Sequence, residues 1–97
     1  MENQEETPKV KLMKARLKAA ELRKDAAHQD EFAAGYFRQA KKPIYPGQEE
    51  VCEGKGNSVL SLAAKNRAQA DLIEAEAEAE FERKTGGKAP AANKLEV

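Results

Sequence analysis

The sequence predicts an all-α fold, an antiparallel hairpin of two long helices with coiled-coil-like packing. Apolar residues recur at spacings of three, four and seven along two long segments, as they do on one face of a helix. A segment rich in proline and glycine separates them, and a hairpin is the simplest topology for two long helices joined by one loop. A basic stretch near the start of the chain and an acidic stretch near its end would then lie side by side.

The 97 residues suffice for one small domain, but few of them are of the types that build a core. Leu, Ile, Val and Phe together number sixteen, whereas alanine alone numbers eighteen. Alanine favours helix strongly and removes little surface from water, so helices should form more readily than a deep core can stabilise them. We therefore expect a marginally stable monomer that gains stability from a partner or from copies of itself.

The first helix is predicted over residues 8–42, after a flexible N-terminus at residues 1–7. Thr7 followed by Pro8 is typical of an N-cap with proline in the first turn. Gly35 is expected to bend or break the helix. A long apolar stripe follows the helical period, with Gln29 at the one skipped position: Leu12, Ala15, Ala19, Leu22, Ala26, Ala33, Phe37 and Ala40. A second stripe lies on another face: Val10, Met13, Leu17 and Ala20.

A loop of about 15 residues is predicted at 43–57, because prolines and glycines interrupt the helical pattern there. The second helix is predicted over residues 58–85, capped by Asn57 or Ser58 and closed by the glycine pair at 86–87. Its inner stripe is interrupted once, by Asn66: Val59, Leu62, Ala63, Ala70, Ile73, Ala77 and Phe81. Its other side is mostly alanine: Ala64, Ala68, Leu72, Ala75 and Ala79.

Residues 88–97 are expected to form a flexible tail. Its last residues, Leu95, Glu96 and Val97, match the start of a common protease-site linker. We set residues 93–97 aside as a vector remnant when considering function.

Two segments of opposite charge lie near the two ends of the chain. The basic block comprises Lys9, Lys11, Lys14, Arg16, Lys18, Arg23 and Lys24, with Glu21 as its one acid. The acidic block comprises Asp71, Glu74, Glu76, Glu78, Glu80 and Glu82 and contains no base. Exposed ion pairs contribute only about 0.2 to 1 kcal/mol each, but complementary blocks can fix the direction and register of the helices.

Five residues around the loop are the candidate partner-binding site: Phe32, Tyr36, Phe37, Ile44 and Tyr45. Aromatic side chains often dominate the binding energy of protein interfaces. Alternatively, the aromatic rings fill the loop end of the hairpin, although the second helix offers few apolar residues to cover them.

A nucleic-acid-binding function through the basic block, residues 9–24, is the alternative to a protein-interaction function. The absence of an aromatic residue between Lys9 and Lys24 weakens it, as does the zero net charge. No membrane partner is expected, because the apolar residues of this segment are split between two faces and no segment is long enough to span a bilayer.

No enzymatic activity, cofactor, metal site or small-molecule substrate is predicted. His28 and Cys52 are the single histidine and cysteine, whereas a structural zinc site usually needs four ligands. A lone cysteine fits a reducing, cytoplasmic compartment. The sequence therefore favours a non-enzymatic interaction module: an adaptor, an inhibitor of a larger host or partner enzyme, or an assembly subunit that binds another protein or itself.

Overall fold

A computed structural model describes residues 6–90, and within them the chain is helical with no strand. α1 spans Pro8–Ala40 and α2 spans Gln48–Thr85. The molecule measures 62 × 31 × 22 Å, and its radius of gyration is 19.5 Å. A compact domain of this length would have a radius of about 12.5 Å. The extended shape fits a helical hairpin, and the prediction of an all-α fold is confirmed.

α1 begins as the sequence predicts. The side-chain oxygen of Thr7 accepts a hydrogen bond from the backbone amide of Val10 at 3.2 Å, and Pro8 is the first helical residue. The helix continues through Gly35, so the predicted break does not occur. It ends at Ala40, two residues before the predicted end.

The predicted loop at 43–57 is wrong in its second half. α2 begins at Gln48, ten residues before the predicted start, and the connection comprises residues 41–47. Gly47, in the left-handed region at φ 89°, is the N-cap in place of Asn57 or Ser58. Acidic residues at positions 49 and 50 then favour the positive end of the helix dipole.

α2 continues through Gly54 and Gly56, which the sequence pattern assigned to the loop, and Gly56 makes a tertiary contact there. Gly56 is buried, and a Cβ atom placed there would lie 2.7 Å from Cζ of Phe37. The Phe37 ring therefore rests on the α2 backbone, an approach that the lack of a side chain permits. One turn earlier, Cys52 is buried, with its thiol 3.7 Å from Oε1 of Gln39.

The end of α2 matches the prediction. Gly86 adopts a left-handed conformation at φ 76°, and its amide donates a hydrogen bond to the carbonyl of Glu82 at 2.8 Å. Arg83 and Lys84 lie in the last turn, where cations favour the helix dipole. The alternation of Glu and Ala before this point is helical, as expected.

The core is a line of mostly small residues at every seventh position, which we call the small-residue ladder. It comprises Leu12, Ala19, Ala26, Ala33 and Ala40 on α1 and Gly56, Ala63 and Ala70 on α2, all of them buried. Leu12 is the largest fully buried side chain among the described residues. Other residues of the predicted inner stripes are half-buried: Ala15, Leu22, Val59, Ile73, Ala77 and Phe81. Leu62 departs from the prediction, because half of its surface is exposed.

The two polar residues that interrupt the predicted stripes meet across the hairpin. The side-chain amide of Asn66 donates a hydrogen bond to the amide oxygen of Gln29 at 3.0 Å. Each residue therefore satisfies part of the hydrogen-bonding capacity of the other in a half-buried position.

The predicted flexible ends, residues 1–7 and 88–97, lie mostly outside the described residues, as does the suspected vector remnant. Between residues 6 and 90, neither helix contains a stretch that is both long and apolar enough to cross a bilayer.

We expect alanine substitutions at the two glycines of α2 to have opposite effects. Gly54→Ala should stabilise the fold by about 1 kcal/mol, because nothing lies within 4 Å of the added methyl group and helix propensity improves. Gly56→Ala gains the same propensity but collides with Phe37, so it should be less stable than Gly54→Ala by roughly 1 to 3 kcal/mol. Urea unfolding followed by circular dichroism measures both. Equal stability of the two variants would contradict the ring-on-backbone contact.

Candidate interaction surfaces

Large apolar side chains are exposed where the helices join. Phe32 is 68% exposed, Ile44 88% and Tyr45 52%. Val51, on the first turn of α2, is 46% exposed, and Tyr36 is half-buried. We call these five residues the loop-end surface. It contains four of the five predicted partner-binding residues and adds Val51, which the sequence pattern placed in a loop.

Tyr36 lies between two shallow grooves of the loop-end surface. One, of about 620 Å³, runs along α1 and is lined by His28, Glu31, Phe32, Gly35, Tyr36 and Gln39. The other, of about 630 Å³, reaches α2 and is lined by Tyr36, Glu50, Val51, Gly54, Lys55, Ser58 and Val59. The ammonium of Lys55 lies 5.9 Å from the centre of the Tyr36 ring, at the outer limit of a cation–π contact.

The connection that carries Ile44 and Tyr45 is held by hydrogen bonds at both ends. The amides of Lys41 and Lys42 donate to the last carbonyls of α1. The Gln48 amide donates to the Tyr45 carbonyl at 3.2 Å, and the Gln48 side-chain oxygen accepts from the Ile44 amide. The exposed side chains of Ile44 and Tyr45 therefore project from a seven-residue turn that hydrogen bonds hold at both ends.

Phe37 is not part of the loop-end surface. It is half-buried, and its ring lies on Gly56. Its place on the inner apolar stripe of α1 was visible in the sequence and is the signal that assigns it to the hairpin interior. The predicted site thus divides into four residues toward solvent and one between the helices.

The basic and acidic blocks face each other, as predicted. A guanidinium nitrogen of Arg16 lies 2.9 Å from the carboxylate of Glu78. Arg23 contacts both Asp71 and Glu74 at 2.8 Å, and these carboxylates raise the pKa of its guanidinium, Asp71 more than Glu74. Residues early in α1 thus pair with residues late in α2, as expected for an antiparallel hairpin.

Arg16 is the most enclosed charge of the pairing. Only 11% of its side chain is exposed, and two of its nitrogens, Nε and Nη1, are buried without a hydrogen-bond partner. Its Nε lies 3.8 Å from the Glu74 carboxylate, which compensates the charge without a hydrogen bond. Because removing a partner from a desolvated charge is costly, Arg16 depends on Glu74 and Glu78.

The other lysines of the basic block have a different environment. Lys11 lies 3.9 Å from Glu80, and Lys14 contacts Glu6 rather than the acidic block. Lys9, Lys18 and Lys24 are exposed, and between residues 6 and 90 no ion pair joins them to the acidic block. The basic side chains that remain available to a nucleic acid are therefore lysines, because both arginines of the basic block pair with acids of α2.

Nearer the loop, Arg67 of α2 forms an ion pair with Asp30 of α1, outside both charge blocks. The hydrogen bonds from Arg67 lower the pKa of the Asp30 carboxyl group. Sequence reasoning missed this pair. Similarly, Lys84 lies 3.1 Å from Glu80 within α2 and lowers the pKa of that carboxyl group.

Comparison of the chain with protein-family models, with curated proteins and with solved structures finds no match. Within residues 6–90, no group of three His, Cys, Asp or Glu side chains is arranged to hold a metal ion.

Charge reversal should cost more stability at an acid that pairs with α1 than at a neighbouring acid that faces solvent. Glu78→Lys places a cation against the enclosed Arg16 guanidinium and should destabilise the hairpin by roughly 1 to 3 kcal/mol. This is less than the cost at a fully buried pair, because 38% of the Glu78 side chain is exposed. Glu76→Lys, at an exposed position of the same block, should change stability by less than about 0.5 kcal/mol. Urea unfolding of dilute samples compares them; a larger loss for Glu76→Lys would refute the pairing.

Acid should remove the contribution of the Asp30 ion pair. Because Arg67 lowers the pKa of Asp30, the carboxylate stabilises the fold above the ordinary Asp pKa of about 3.9, and this contribution disappears as pH falls through the lower folded value. We expect Arg67→Gln to melt below the wild type at pH 7, with the difference disappearing once the pH falls below the lowered pKa of Asp30 in the folded state. Lys65→Gln is the control, and a difference that persists in acid would show that Arg67 stabilises by packing alone.

Proposed function

We propose that the protein is a non-enzymatic protein–protein interaction module, an adaptor, an inhibitor of a larger enzyme or an assembly subunit. It docks through the loop-end surface and through helix faces. The observation that carries the proposal is the exposure of Ile44, at 88%, next to exposed Tyr45 in the turn, together with the exposure of Phe32 in the loop-end half of α1. Such side chains gain most from burial against a partner, at about 25 cal/mol for each Å² of apolar surface.

The turn is suited to binding because its shape is already fixed. Pro43 and Pro46 restrict the backbone on either side of Ile44 and Tyr45, and Gln48 bonds to both of them. A segment that is ordered before binding loses less conformational entropy in the complex. Together with a rigid aromatic ring, this is the usual character of an interface hot spot.

The scaffold is proposed to pack as an antiparallel coiled coil. The seven-residue spacing of the small-residue ladder on both helices supports this packing. In such a scaffold the helices hold the loop end at a constant position, so that docking does not depend on a change in fold. The buried thiol of Cys52 supports a reducing, cytoplasmic compartment.

Internal charge pairing supports protein rather than nucleic acid as the partner. Arg16 and Arg23 make contacts of 2.8 to 2.9 Å with the acidic block, and a phosphate backbone would have to compete with these carboxylates. The lysines left outward alternate with apolar residues and lack aromatic neighbours for stacking on bases.

Affinity capture from native cells, followed by mass spectrometry, tests the proposal. The variant Ile44→Ala/Tyr45→Ala should lose the specific partner, because both side chains leave the loop-end surface while the fold is unchanged. Leu60→Ala, which truncates an α2 side chain of 40% exposure that belongs to neither the loop-end surface nor the predicted apolar and alanine-rich faces, should retain that partner. A third variant tests the nucleic-acid alternative and carries Glu in place of Lys9, Lys18 and Lys24.

Two results would contradict the loop-end assignment. Retention of the partner by Ile44→Ala/Tyr45→Ala is one. Loss of capture only in the lysine variant, with release of the captured material by nuclease, would favour the nucleic-acid alternative instead.

A further inference from the structure

A stripe of six residues runs along the loop-end half of α1, on a side of the helix that does not carry the small-residue ladder. The spacing alternates strictly between three and four residues, so the six share one side of the helix. Five of them are exposed, and the glycine is half-buried. We call them the outer stripe: Asp25, His28, Phe32, Gly35, Gln39 and Lys42. Lys42 follows the end of α1, but its amide still donates to the Gln39 carbonyl at 3.1 Å, so the backbone is coiled there too.

The outer stripe has a projecting ring and an open notch one helical turn apart. Phe32 is 68% exposed. Outside the backbone of α1 itself, only the far end of the Arg38 side chain lies within 4 Å of a Cβ atom placed at Gly35, at 3.8 Å. At Gly56 the corresponding space is filled by the ring of Phe37. The notch at Gly35, in a groove of about 620 Å³, is therefore open to a ring from another molecule.

The charges on and beside the outer stripe are divided between its two halves. The acids Asp25 and Glu31 come first, and the bases Arg38 and Lys42 come last. All four are exposed, and between residues 6 and 90 none of them takes part in an ion pair within the chain. Lys24, next to Asp25, is the one base in the acidic half. A face with acids at one end and bases at the other is complementary to its own antiparallel copy.

We propose that two copies of the chain form a dimer through the outer stripe. Their α1 helices run antiparallel, and a two-fold axis passes between positions 33 and 34. The proposal rests on the proposed function in one respect, because it names a second copy as the partner of the Phe32 part of the loop-end surface. Ile44, Tyr45 and Val51 remain for a different partner.

The ring and the notch select this register. Positions equally far from the axis lie opposite each other, so Phe32 of each copy enters the notch at Gly35 of the other. The ring then lies beside the Arg38 guanidinium, where a cation–π contact is available. Sliding the copies by seven residues would place Phe32 opposite His28 or Lys42 and leave the notch empty.

The polar residues of the outer stripe fit the same register. His28 lies opposite Gln39 of the second copy. The Gln39 side-chain oxygen accepts from the thiol of Cys52 in its own chain, so its amide hydrogens remain to donate to a ring nitrogen of His28. Both residues thus keep a hydrogen-bond partner when the contact excludes water.

The charged residues are matched as well. Asp25 lies opposite Lys42 of the second copy, and on the flank of the stripe Glu31 comes close to Arg38 of the second copy. The two-fold axis forms both pairs twice. Lys24 lies opposite residues 43–45, which carry no charge, so no acid faces an acid and no base meets a base directly across the axis.

The same surface of both copies is used in this contact, so the assembly closes at two copies. We therefore expect association to stop at the dimer. The dimer should also dissociate more readily at high salt, because exposed charge pairs contribute to it.

Sedimentation equilibrium across a concentration series, at low and high salt, tests the charge pairs. The acid-reversed variant carries Asp25→Lys and Glu31→Lys, and the base-reversed variant carries Arg38→Glu and Lys42→Glu. Each variant places like charges opposite each other in its own dimer, so we expect its dissociation constant to rise at least about tenfold. Circular dichroism checks that both variants remain folded.

Mixing the two reversed variants restores every charge pair. The lysines of one variant meet the glutamates of the other, so the equimolar mixture should dimerise although neither protein does so alone. A wild type that stays monomeric at low salt would overturn the proposal. So would reversed variants that dimerise like the wild type, or a mixture that remains monomeric.

Filling the notch tests the ring contact. Gly35→Gln replaces the glycine with a better helix former but occupies the space that Phe32 of the second copy needs, so its dissociation constant should rise at least about tenfold. Gly54→Gln is the matched control, because nothing lies within 4 Å of a Cβ atom there and the position is outside the outer stripe. Equal dimerisation of the two variants would contradict the proposed register.

The sedimentation measurement needs no other protein, so it separates this proposal from docking at the turn. A dimer that forms although no partner is captured would support the inference and contradict the loop-end function. A monomeric wild type whose captured partner is lost in Ile44→Ala/Tyr45→Ala would overturn the inference and leave that function in place.

Discussion

Small residues at every seventh position allow the backbones of α1 and α2 to approach closely, and much of the remaining structure follows from this approach. With Ala26, Ala33, Ala63 and Ala70 in the interior, little volume is available for large side chains between the helices. Larger residues are therefore displaced to the borders of the contact, where they are half-buried, or to the outer faces, where they are exposed. A hairpin of this kind is shaped by the packing of small side chains more than by burial of large apolar ones.

The small-residue ladder alone does not define one register. Sliding one helix by seven residues, about 10.5 Å, would bring alanine opposite alanine again. Features that occur once distinguish the observed register from that alternative. Phe37 fits over Gly56, and the amides of Gln29 and Asn66 meet each other. The charge blocks add specificity because Arg16 is enclosed and would lose Glu78 on sliding.

Sequence reasoning predicted the elements that depend on local signals. The cap at Thr7, the closing glycine at position 86 and the opposed charge blocks each follow from residue type and spacing. The start of α2 could not be predicted in this way, because Gly54 and Gly56 are poor helix formers when considered locally. Gly56 packs against the Phe37 ring, which comes from α1 about 20 residues earlier in the chain, and such a contact cannot be read from local sequence.

The candidate site was predictable to a similar extent. Aromatic and apolar residues near a turn indicated a surface, and exposure of Phe32, Ile44 and Tyr45 agrees with that indication. Phe37 was grouped with them because it is close to them in sequence, although its place on the inner apolar stripe of α1 already indicated the hairpin interior. Val51 was missed because the predicted start of α2 was ten residues too late. A residue assigned to a loop cannot be placed on one face of a helix.

Cys52 gives this hairpin a native chemical probe of its own opening. Its side chain is 5% exposed and lies near the start of α2, one turn before the Gly56 that contacts Phe37. A thiol reagent reaches the sulfur when this end of the hairpin separates, so the modification rate measures the frequency of that local event. A ligand bound to the turn would make this separation rarer and would slow the modification of the thiol without contacting the sulfur. Binding at the loop end could thus be followed on the unlabelled protein.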